Sequence, residues 1–266
     1  MPALGRVLII AGSDSGGGAG IQADIKTVTA LGGYAATAIT AITVQNTLGV
    51  SAVQALSADL VAAQARAVLG DIGADVIKTG MLGDVEMVET VARLLDEGCV
   101  PAVIDPVMVA KGGARLLAQE AGQALLRLLV PRAAVLTPNA PEAQALTGLT
   151  VETTDDLRRA GEALLAEGAG AVLMKGGHIP GARVTDVLMT PYGETLFEAE
   201  RIETRHTHGT GCTLASACAT GLAQGLPLAQ AVARAWDYVH QAILRAPGLG
   251  AGHGPLDHGW TLRGKI

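Results

Sequence analysis

Residues 207–213 carry the residue types that could bind an anion and activate a thiol. Their sequence is Thr-His-Gly-Thr-Gly-Cys-Thr, and a run of small residues typical of a helix comes directly after them. Glycines before a helix free backbone N–H groups, which converge with the positive helix end on a point that suits a phosphate. The same field would stabilise a thiolate at Cys212, in the first turn. Taken alone, the segment fits equally well a glycine-rich turn that caps a core helix and holds an inert thiol.

Polar residues also lie directly after several apolar, strand-like runs. Asp105 follows one run, Asn139 and Glu142 follow the next, and Lys175 follows a third. A hydrated Mg²⁺ takes one or two carboxylates together with phosphate oxygens, and a lysine binds phosphate as a point charge. Each residue alone is a common helix cap or a solvated charge. Their joint position at strand ends of one sheet favours a site for magnesium and phosphate.

A second glycine-rich segment, residues 11–20, ends the first predicted strand. Its glycines at positions 16, 18 and 20 give G-x-G-x-G, which lacks the final spacing of the dinucleotide fingerprint. A nicotinamide-dependent oxidoreductase is therefore disfavoured. The glycines indicate either close approach of the backbone to a ligand or a flexible loop, and the sequence leaves both open.

Two further motifs are rejected on their spacing. Residues 259–265 have the glycine and lysine spacing of a P-loop, but Ile266 stands where Ser or Thr is required. A zinc site at His206, His208 and Cys212 is disfavoured, because the two histidines alternate along an extended segment and no second ligand cluster accompanies them. A role for His208 in the anion-binding segment is simpler.

Composition limits the class of protein. The 266 residues are 49% hydrophobic and 17% charged, which is enough apolar surface for one large core, so we expect a single domain over residues 1–266. The net charge of −6 argues against a nucleic-acid surface, since phosphate backbones are bound by clustered Lys and Arg. No apolar run is long enough for a membrane span, and the N-terminus lacks a signal-peptide pattern. Three cysteines fit a reducing compartment, and we expect a cytoplasmic protein.

The elements that must position these residues alternate between short apolar runs and longer segments of helical period. This pattern is typical of an α/β protein with a mostly parallel central sheet covered by helices on both faces. Residues 183–202 change to a period of two around a Pro-Tyr-Gly turn, which predicts an antiparallel hairpin at the sheet edge. The predicted strands are Arg6–Ala11, Tyr34–Val44, Ala74–Lys78, Ala102–Ile104, Ala133–Thr137 and Gly170–Met174. The predicted helices are Ala19–Leu31, Ala58–Leu69, Val85–Leu95, Arg115–Leu129, Asp155–Glu167, Thr210–Gln224 and Leu228–Leu244.

Together these motifs resemble the bacterial hydroxymethylpyrimidine/phosphomethylpyrimidine kinases of thiamine biosynthesis, in the ribokinase-like superfamily. The resemblance spans nearly the whole chain and includes residues 11–24, 44–47, 78–82, 175–178 and 206–213, together with the Asp105 and Asn139/Glu142 segments. It implies a three-layer ribokinase-like fold, ATP and Mg²⁺ as cofactors, and a homodimer. The implied reaction phosphorylates 4-amino-5-hydroxymethyl-2-methylpyrimidine and then its monophosphate.

The resemblance also implies roles for individual residues. Backbone N–H groups of the anion-binding segment would stabilise the transferring phosphoryl group, and Cys212 stands where sugar kinases of this fold carry an aspartate base. The amide of Gln45 matches a ring nitrogen beside an amino group. The residues implied are Gly12, Asp24, Gln45 and Met81 around the pyrimidine, Asp105 and Glu142 for Mg²⁺, Asn139, Lys175 and Lys111 for the nucleotide phosphates, and Gly209, Thr210, Gly211 and Cys212 for catalysis.

Two other functions remain open at this point. A pyridoxal or pyridoxine kinase would share the fold and the cysteine segment, and Gln45 and Met81 favour the pyrimidine over it. A pyrimidine-binding sensor without activity would keep the substrate pocket, but it would not need Asp105, Glu142 and Lys175 together with the anion-binding segment.

Overall fold

A computed structural model describes residues 4–108 and 119–263. Nine strands form one sheet in the order β3-β2-β1-β4-β5-β6-β7-β8-β9. The strands are β1 Arg6–Asp14, β2 Tyr34–Asn46, β3 Gly49–Ala55, β4 Val76–Thr79, β5 Ala102–Ile104, β6 Val135–Leu136, β7 Val172–Met174, β8 Arg183–Thr190 and β9 Gly193–Glu200. The helices are α1 Gly20–Ala30, α2 Ala58–Asp71, α3 Val85–Gly98, α4 Gln119–Leu128, α5 Ala140–Thr147, α6 Thr154–Ala166, α7 Thr210–Ala223 and α8 Leu228–Leu244.

The sheet is parallel from β2 to β7 and antiparallel at both edges. Alternate residues of β1 face opposite sides, with Leu8 and Ile10 in one apolar core and Val7 and Ile9 in the other. Helices α2 to α6 cover the first face, and α1, α7 and α8 cover the second. The predicted three-layer arrangement and the hairpin of β8 and β9 are therefore confirmed.

Two described elements were not predicted. Strand β3 pairs antiparallel with the end of β2, and its mixed, largely exposed sequence shows no clear period. Helix α5 is only eight residues long and is absent from the predicted helices, although a helix cap was the alternative interpretation of the Asn139/Glu142 segment where it begins. Of the predicted helix Arg115–Leu129, residues 115–118 lie outside the described part.

The parallel strands bring their carboxyl ends to the same edge of the sheet, where β1, β4, β5, β6 and β7 each run into a connecting segment. Ligands of open α/β sheets bind at this edge. Among the described helices, none is long and apolar enough to cross a membrane.

Candidate functional site

A cavity of about 590 Å³ lies at this edge of the sheet. It is the size of a small-molecule site. Eleven predicted site residues line it: Gly12, Gln45, Met81, Asp105, Asn139, Glu142, Lys175, Gly209, Thr210, Gly211 and Cys212. Lys111 lies outside the described residues, and Asp24 is absent from the cavity wall.

The anion-binding segment forms the predicted helix start. Gly209 is the N-cap of α7 with φ +87°, and no side chain caps the helix. A Cβ atom at Gly209 would collide with the carbonyl oxygen of Gly18, so both the backbone angle and the close approach require glycine. The first N–H groups of a helix have no partner within it. The N–H of Thr210 makes a long contact of 3.4 Å with Thr207 O, before the helix. Those of Gly211 and Cys212 give the cavity wall donors suited to an anion.

The same segment meets the charged residues of the neighbouring strands. A Cβ atom at Gly211 would lie 3.2 Å from Lys175 Nζ and 3.7 Å from Asp105 Oδ2. The absence of a side chain at Gly211 therefore lets the loop backbone approach both groups. An anion bound at the start of α7 would lie beside a cation.

The thiol of Cys212 differs from the prediction. The residue is half-buried at the cavity wall, and burial raises the pKa of its thiol to about 12, with the carboxylates of Asp24 and Asp105 acting in the same direction. The charge of Lys78 and the backbone N–H of Gly20 oppose this rise in pKa without cancelling it. The expectation of a stabilised thiolate is therefore not supported, because the cost of burying the charge outweighs the attraction of Lys78.

Lys175, Asp105 and Glu142 form an ionic cluster at the ends of β5, β6 and β7. Lys175 Nζ donates to Asp105 Oδ1 at 2.9 Å and lies 3.7 Å from Glu142 Oε2. Burial alone would lower the pKa of Lys175, but the two carboxylates raise it above its ordinary value, so the ammonium stays charged. Thr137 Oγ1 donates to Asp105 Oδ1 at 3.1 Å and helps to orient that carboxylate.

Glu142 is positioned by a capping box at the start of α5. Its Oε2 accepts from the backbone N–H of Asn139 at 2.8 Å, and Asn139 Oδ1 accepts from the backbone N–H of Glu142 at 2.9 Å. Burial raises the pKa of Glu142 to about 7. The nearby charge of Asp105 also raises this pKa, while the charge of Lys175 lowers it. A cation at this point would hold the carboxylate ionised, since two acidic groups face one lysine.

The donor set fits a hydrated magnesium ion. Asp105 and Glu142 offer hard oxygen ligands that share one cationic neighbour, and Mg²⁺ in nucleotide sites takes one or two carboxylates with phosphate and water. Within the described ranges, no group of three or more His, Cys, Asp or Glu residues is placed to hold a metal ion.

Asp24 is not in the substrate pocket. Its carboxylate is fully buried, accepts twice from Lys78 Nζ at 2.9 Å and once from Ser216 Oγ at 2.7 Å. The inner face of α1 carries Asp24 between the sheet and α7, so contact with a pyrimidine is not supported. The signal for this ion pair was Lys78, the one charged residue of the short strand β4.

Gly12, Gln45 and Met81, the residues expected around a ring, all line the cavity. A Cβ atom at Gly12 would lie 3.1 Å from Met81 Sδ, so glycine leaves room beside the thioether. The backbone oxygen of Met81 accepts from Thr40 Oγ1 at 2.7 Å, which holds the segment after β4. Gln45 lies at the end of β2 and lines the cavity.

Sequence reasoning missed Asp14, which organises the first glycine-rich segment. Its Oδ1 accepts from the N–H of Gly16 at 2.8 Å, and its Oδ2 accepts from those of Gly18 at 3.1 Å and Ala19 at 2.8 Å. His208 Nε2 lies 2.8 Å from the same Oδ2. An aspartate two residues before a glycine run was the available signal for such a turn.

Comparison with known proteins places these residues in a family context. A family model described as phosphomethylpyrimidine kinase matches residues 14–257. A hydroxymethylpyrimidine/phosphomethylpyrimidine kinase from Streptomyces coelicolor is 51% identical over 256 residues, which cover 96% of this chain and 95% of the relative.

Two solved structures are similar to the whole chain. A pyridoxal kinase from Bacillus subtilis in an ADP complex has a TM-score of 0.91 and 38% identity, covering 98% of this chain and 99% of its own. A phosphomethylpyrimidine kinase from Clostridium difficile has a TM-score of 0.80 and 40% identity, covering 90% and 99%. These likenesses confirm the predicted ribokinase-like fold.

Proposed function

The chain belongs to the phosphomethylpyrimidine kinase family, and on this premise we propose that it phosphorylates 4-amino-5-hydroxymethyl-2-methylpyrimidine and then its monophosphate, with ATP as donor. One observation carries the proposal. A single cavity joins an amide-bearing ring pocket at Gln45 to an anion-binding helix start and the cluster around Lys175. We further propose that residues 1–266 act as one kinase domain.

Phosphoryl transfer depends mainly on positioning and on charge stabilisation. In this proposal Lys175 and Asn139 orient the nucleotide phosphates, while the N–H groups of residues 209–212 bind the transferring group. Lys111 joins them as a further phosphate ligand. The close approach of Gly211 to Lys175 supports the arrangement, because both types of donor then face the same point.

Asp105 and Glu142 would hold Mg²⁺, directly or through water. Bound there, Mg²⁺ would supply positive charge against the negative charge that develops on the phosphate oxygens. The protein's own contribution is orientation: Thr137 holds Asp105, and the capping box of α5 holds Glu142.

Cys212 would accept the proton of the neutral hydroxymethyl group in the first transfer. This role requires the thiolate, which the raised pKa of Cys212 makes scarce near neutral pH. The acceptor of the second transfer is a phosphate monoester that is already ionised near neutral pH, so it needs no base. The two steps therefore place different demands on Cys212.

Pyridoxal is the second candidate substrate, because the Bacillus subtilis structure with the TM-score of 0.91 is a pyridoxal kinase. In the test, the protein is incubated with ATP, Mg²⁺ and either pyridoxal or the pyrimidine alcohol. ADP and the phosphorylated products are then identified by mass spectrometry. Lys175→Met removes the central cation and serves as the inactive control. The proposal is wrong if ATP binds and neither the pyrimidine monophosphate nor the diphosphate accumulates.

The homodimer remains a proposal supported by one surface. Strand β3 is an edge strand, and the β2–β3 hairpin exposes Ile42, Val44 and Leu48. Exposed edges and apolar patches are typical of association sites. We expect Leu48→Asp to convert a dimer to a monomer in light scattering after size-exclusion chromatography, whereas Leu149→Asp, at an exposed leucine after α5, leaves it unchanged. A wild-type monomer at micromolar concentration would contradict this proposal.

A further inference from the structure

The ring pocket and the anion-binding segment meet in a hydrogen-bonded group of four side chains. His208 Nε2 lies 2.8 Å from Asp14 Oδ2 and 3.2 Å from Gln45 Nε2. The other end of the Gln45 amide, Oε1, lies 3.1 Å from Thr43 Oγ1. His208 is buried, and it immediately precedes Gly209, the N-cap of α7.

The protonation of His208 Nε2 is determined by its neighbour. The Asp14 carboxylate accepts three backbone N–H groups besides the imidazole contact. Burial alone would raise the pKa of Asp14, but these hydrogen bonds and the His208 contact hold it below its ordinary value. An ionised carboxylate has no proton to donate, so His208 Nε2 must carry one and donate it to Asp14.

This protonation decides the orientation of the Gln45 amide. A donating His208 Nε2 cannot face the amide NH₂, which is also a donor. The amide oxygen, in contrast, can share the single Nε2 proton as the longer branch of a three-centre hydrogen bond whose shorter branch goes to Asp14 Oδ2. Oxygen and nitrogen exchange places by a half-turn of the amide, and hydrogen-bond consistency selects between them. The reversed amide is compatible with Thr43. Its hydroxyl can donate to Ser13 O at 3.0 Å and at the same time accept a hydrogen bond from Gln45 Nε2.

We propose that His208 is a specificity-determining positioning residue, which holds the Gln45 amide with Oε1 toward the imidazole and Nε2 toward Thr43. An amide has two acceptor sites and two N–H donors. His208 and Thr43 occupy one of each, so one acceptor site and one N–H of the same amide remain for a ligand. A ring that carries an amino group next to a ring nitrogen satisfies both.

The remaining donor and acceptor of Gln45 define the chemistry of the preferred ligand. A 4-aminopyrimidine offers the matching pair, while a ring without the amino group leaves the Gln45 oxygen unpaired. The identity of the ring rests on the proposed function, but the orientation of the amide does not. His208 also packs against the glycine-rich segment, since a Cβ atom at Gly18 would collide with its ring.

Calorimetry without ATP tests the proposal. The affinity of 4-amino-5-hydroxymethyl-2-methylpyrimidine is compared with that of its analogue lacking the amino group. We expect His208→Leu to reduce this affinity ratio about tenfold, the scale of one lost buried hydrogen bond. His208→Gln, whose amide nitrogen can donate to Asp14 in place of the imidazole, should restore the ratio. The control His253→Leu alters an exposed histidine and should leave the ratio unchanged.

A double variant separates action through Gln45 from an independent effect. If His208 acts by orienting Gln45, the double variant His208→Leu/Gln45→Leu should show the same affinity ratio as Gln45→Leu alone. Independent losses that multiply, or a ratio unchanged in His208→Leu, would overturn the proposal. A wild type that binds the amino compound preferentially but forms no phosphorylated product would reject the proposed function and leave this inference standing.

A measurement on the wild type covers the case in which His208→Leu does not fold. In a long-range ¹⁵N–¹H spectrum, His208 Nε2 should show the shift of a protonated ring nitrogen. A neutral imidazole that carries its proton on Nδ1 alone would remove the donor to Asp14, and the proposal would be wrong.

Discussion

The protonation of Cys212 predicts how the first phosphoryl transfer depends on pH. Burial raises the pKa of this thiol to about 12 from an ordinary value of 9.0. At pH 7.5 the thiolate fraction is then about 3 in 10⁵, against about 3 in 100 for the ordinary thiol. The raised pKa therefore makes the thiolate roughly a thousandfold rarer.

If the thiolate is the base, its population limits the first step. We expect kcat/KM for the pyrimidine alcohol to rise about tenfold per pH unit from pH 7.5 to 9.5 without a plateau, since kcat/KM reports the ionisations of the free enzyme. The monophosphate is already ionised in this range. Its kcat/KM should therefore stay nearly constant with pH.

The assay measures initial rates with each acceptor separately. Cys212→Ala should remove the slope and slow the first step by roughly 10²-fold, the usual scale of general-base assistance. The backbone N–H at position 212 survives this substitution, so the second step should change much less.

Alkylation of the wild type by iodoacetamide, followed by mass spectrometry of the cysteine peptides, measures the thiolate directly. The chain supplies its own references, because Cys99 is exposed and Cys218 is buried. Cys212 should react far more slowly than Cys99. Equal alkylation of the two, or a first step that is independent of pH, would refute the reasoning.

The remaining predictions concern the metal ligands and the loop. Because Glu142 has a pKa of about 7 and must be ionised to bind a cation, the affinity for Mg·ATP should fall about tenfold per pH unit below this value. In calorimetry Glu142→Gln should weaken Mg·ATP binding, abolish this dependence and spare pyrimidine binding; a dependence that persists in the variant would implicate another group. Gly209→Ala should lower the free energy of unfolding in urea by about 2 kcal/mol or more, because of its positive φ and the collision with Gly18. The control Gly70→Ala, in open space within α2, should be neutral or stabilising by up to about 1 kcal/mol, and equal effects of the two would contradict this account.

The sequence predicts best those features that depend on strand direction. Asp105, Glu142 and Lys175 belong to different connections, yet a parallel sheet must bring such residues to one edge, and the structure joins them within 4 Å of one ammonium. The start of α7 was likewise predictable from glycine chemistry. Local pattern and topology were sufficient for these residues.

The features that the sequence could not predict depend on packing between distant elements. The burial that raises the pKa of Cys212 comes from surrounding elements, and so does the pairing of Asp24 with Lys78. The resemblance in residues 11–24 identified Asp24 as a site residue, but it could not show in which direction the side chain points. Only the packing of α1 against the sheet and α7 shows that this carboxylate lies behind the cavity wall.

The contact of Asp14 with His208 joins residues 194 positions apart, and that of Asp24 with Ser216 joins residues 192 apart. Such distant pairings form late, since the chain is synthesised from its N-terminus and long-range contacts are slow to form. A nascent chain that has emerged only as far as Lys175, directly after β7, already carries Asp105, Glu142 and Lys175, but it lacks the start of α7. Residues 209–212, which are made after them, therefore complete the cavity wall.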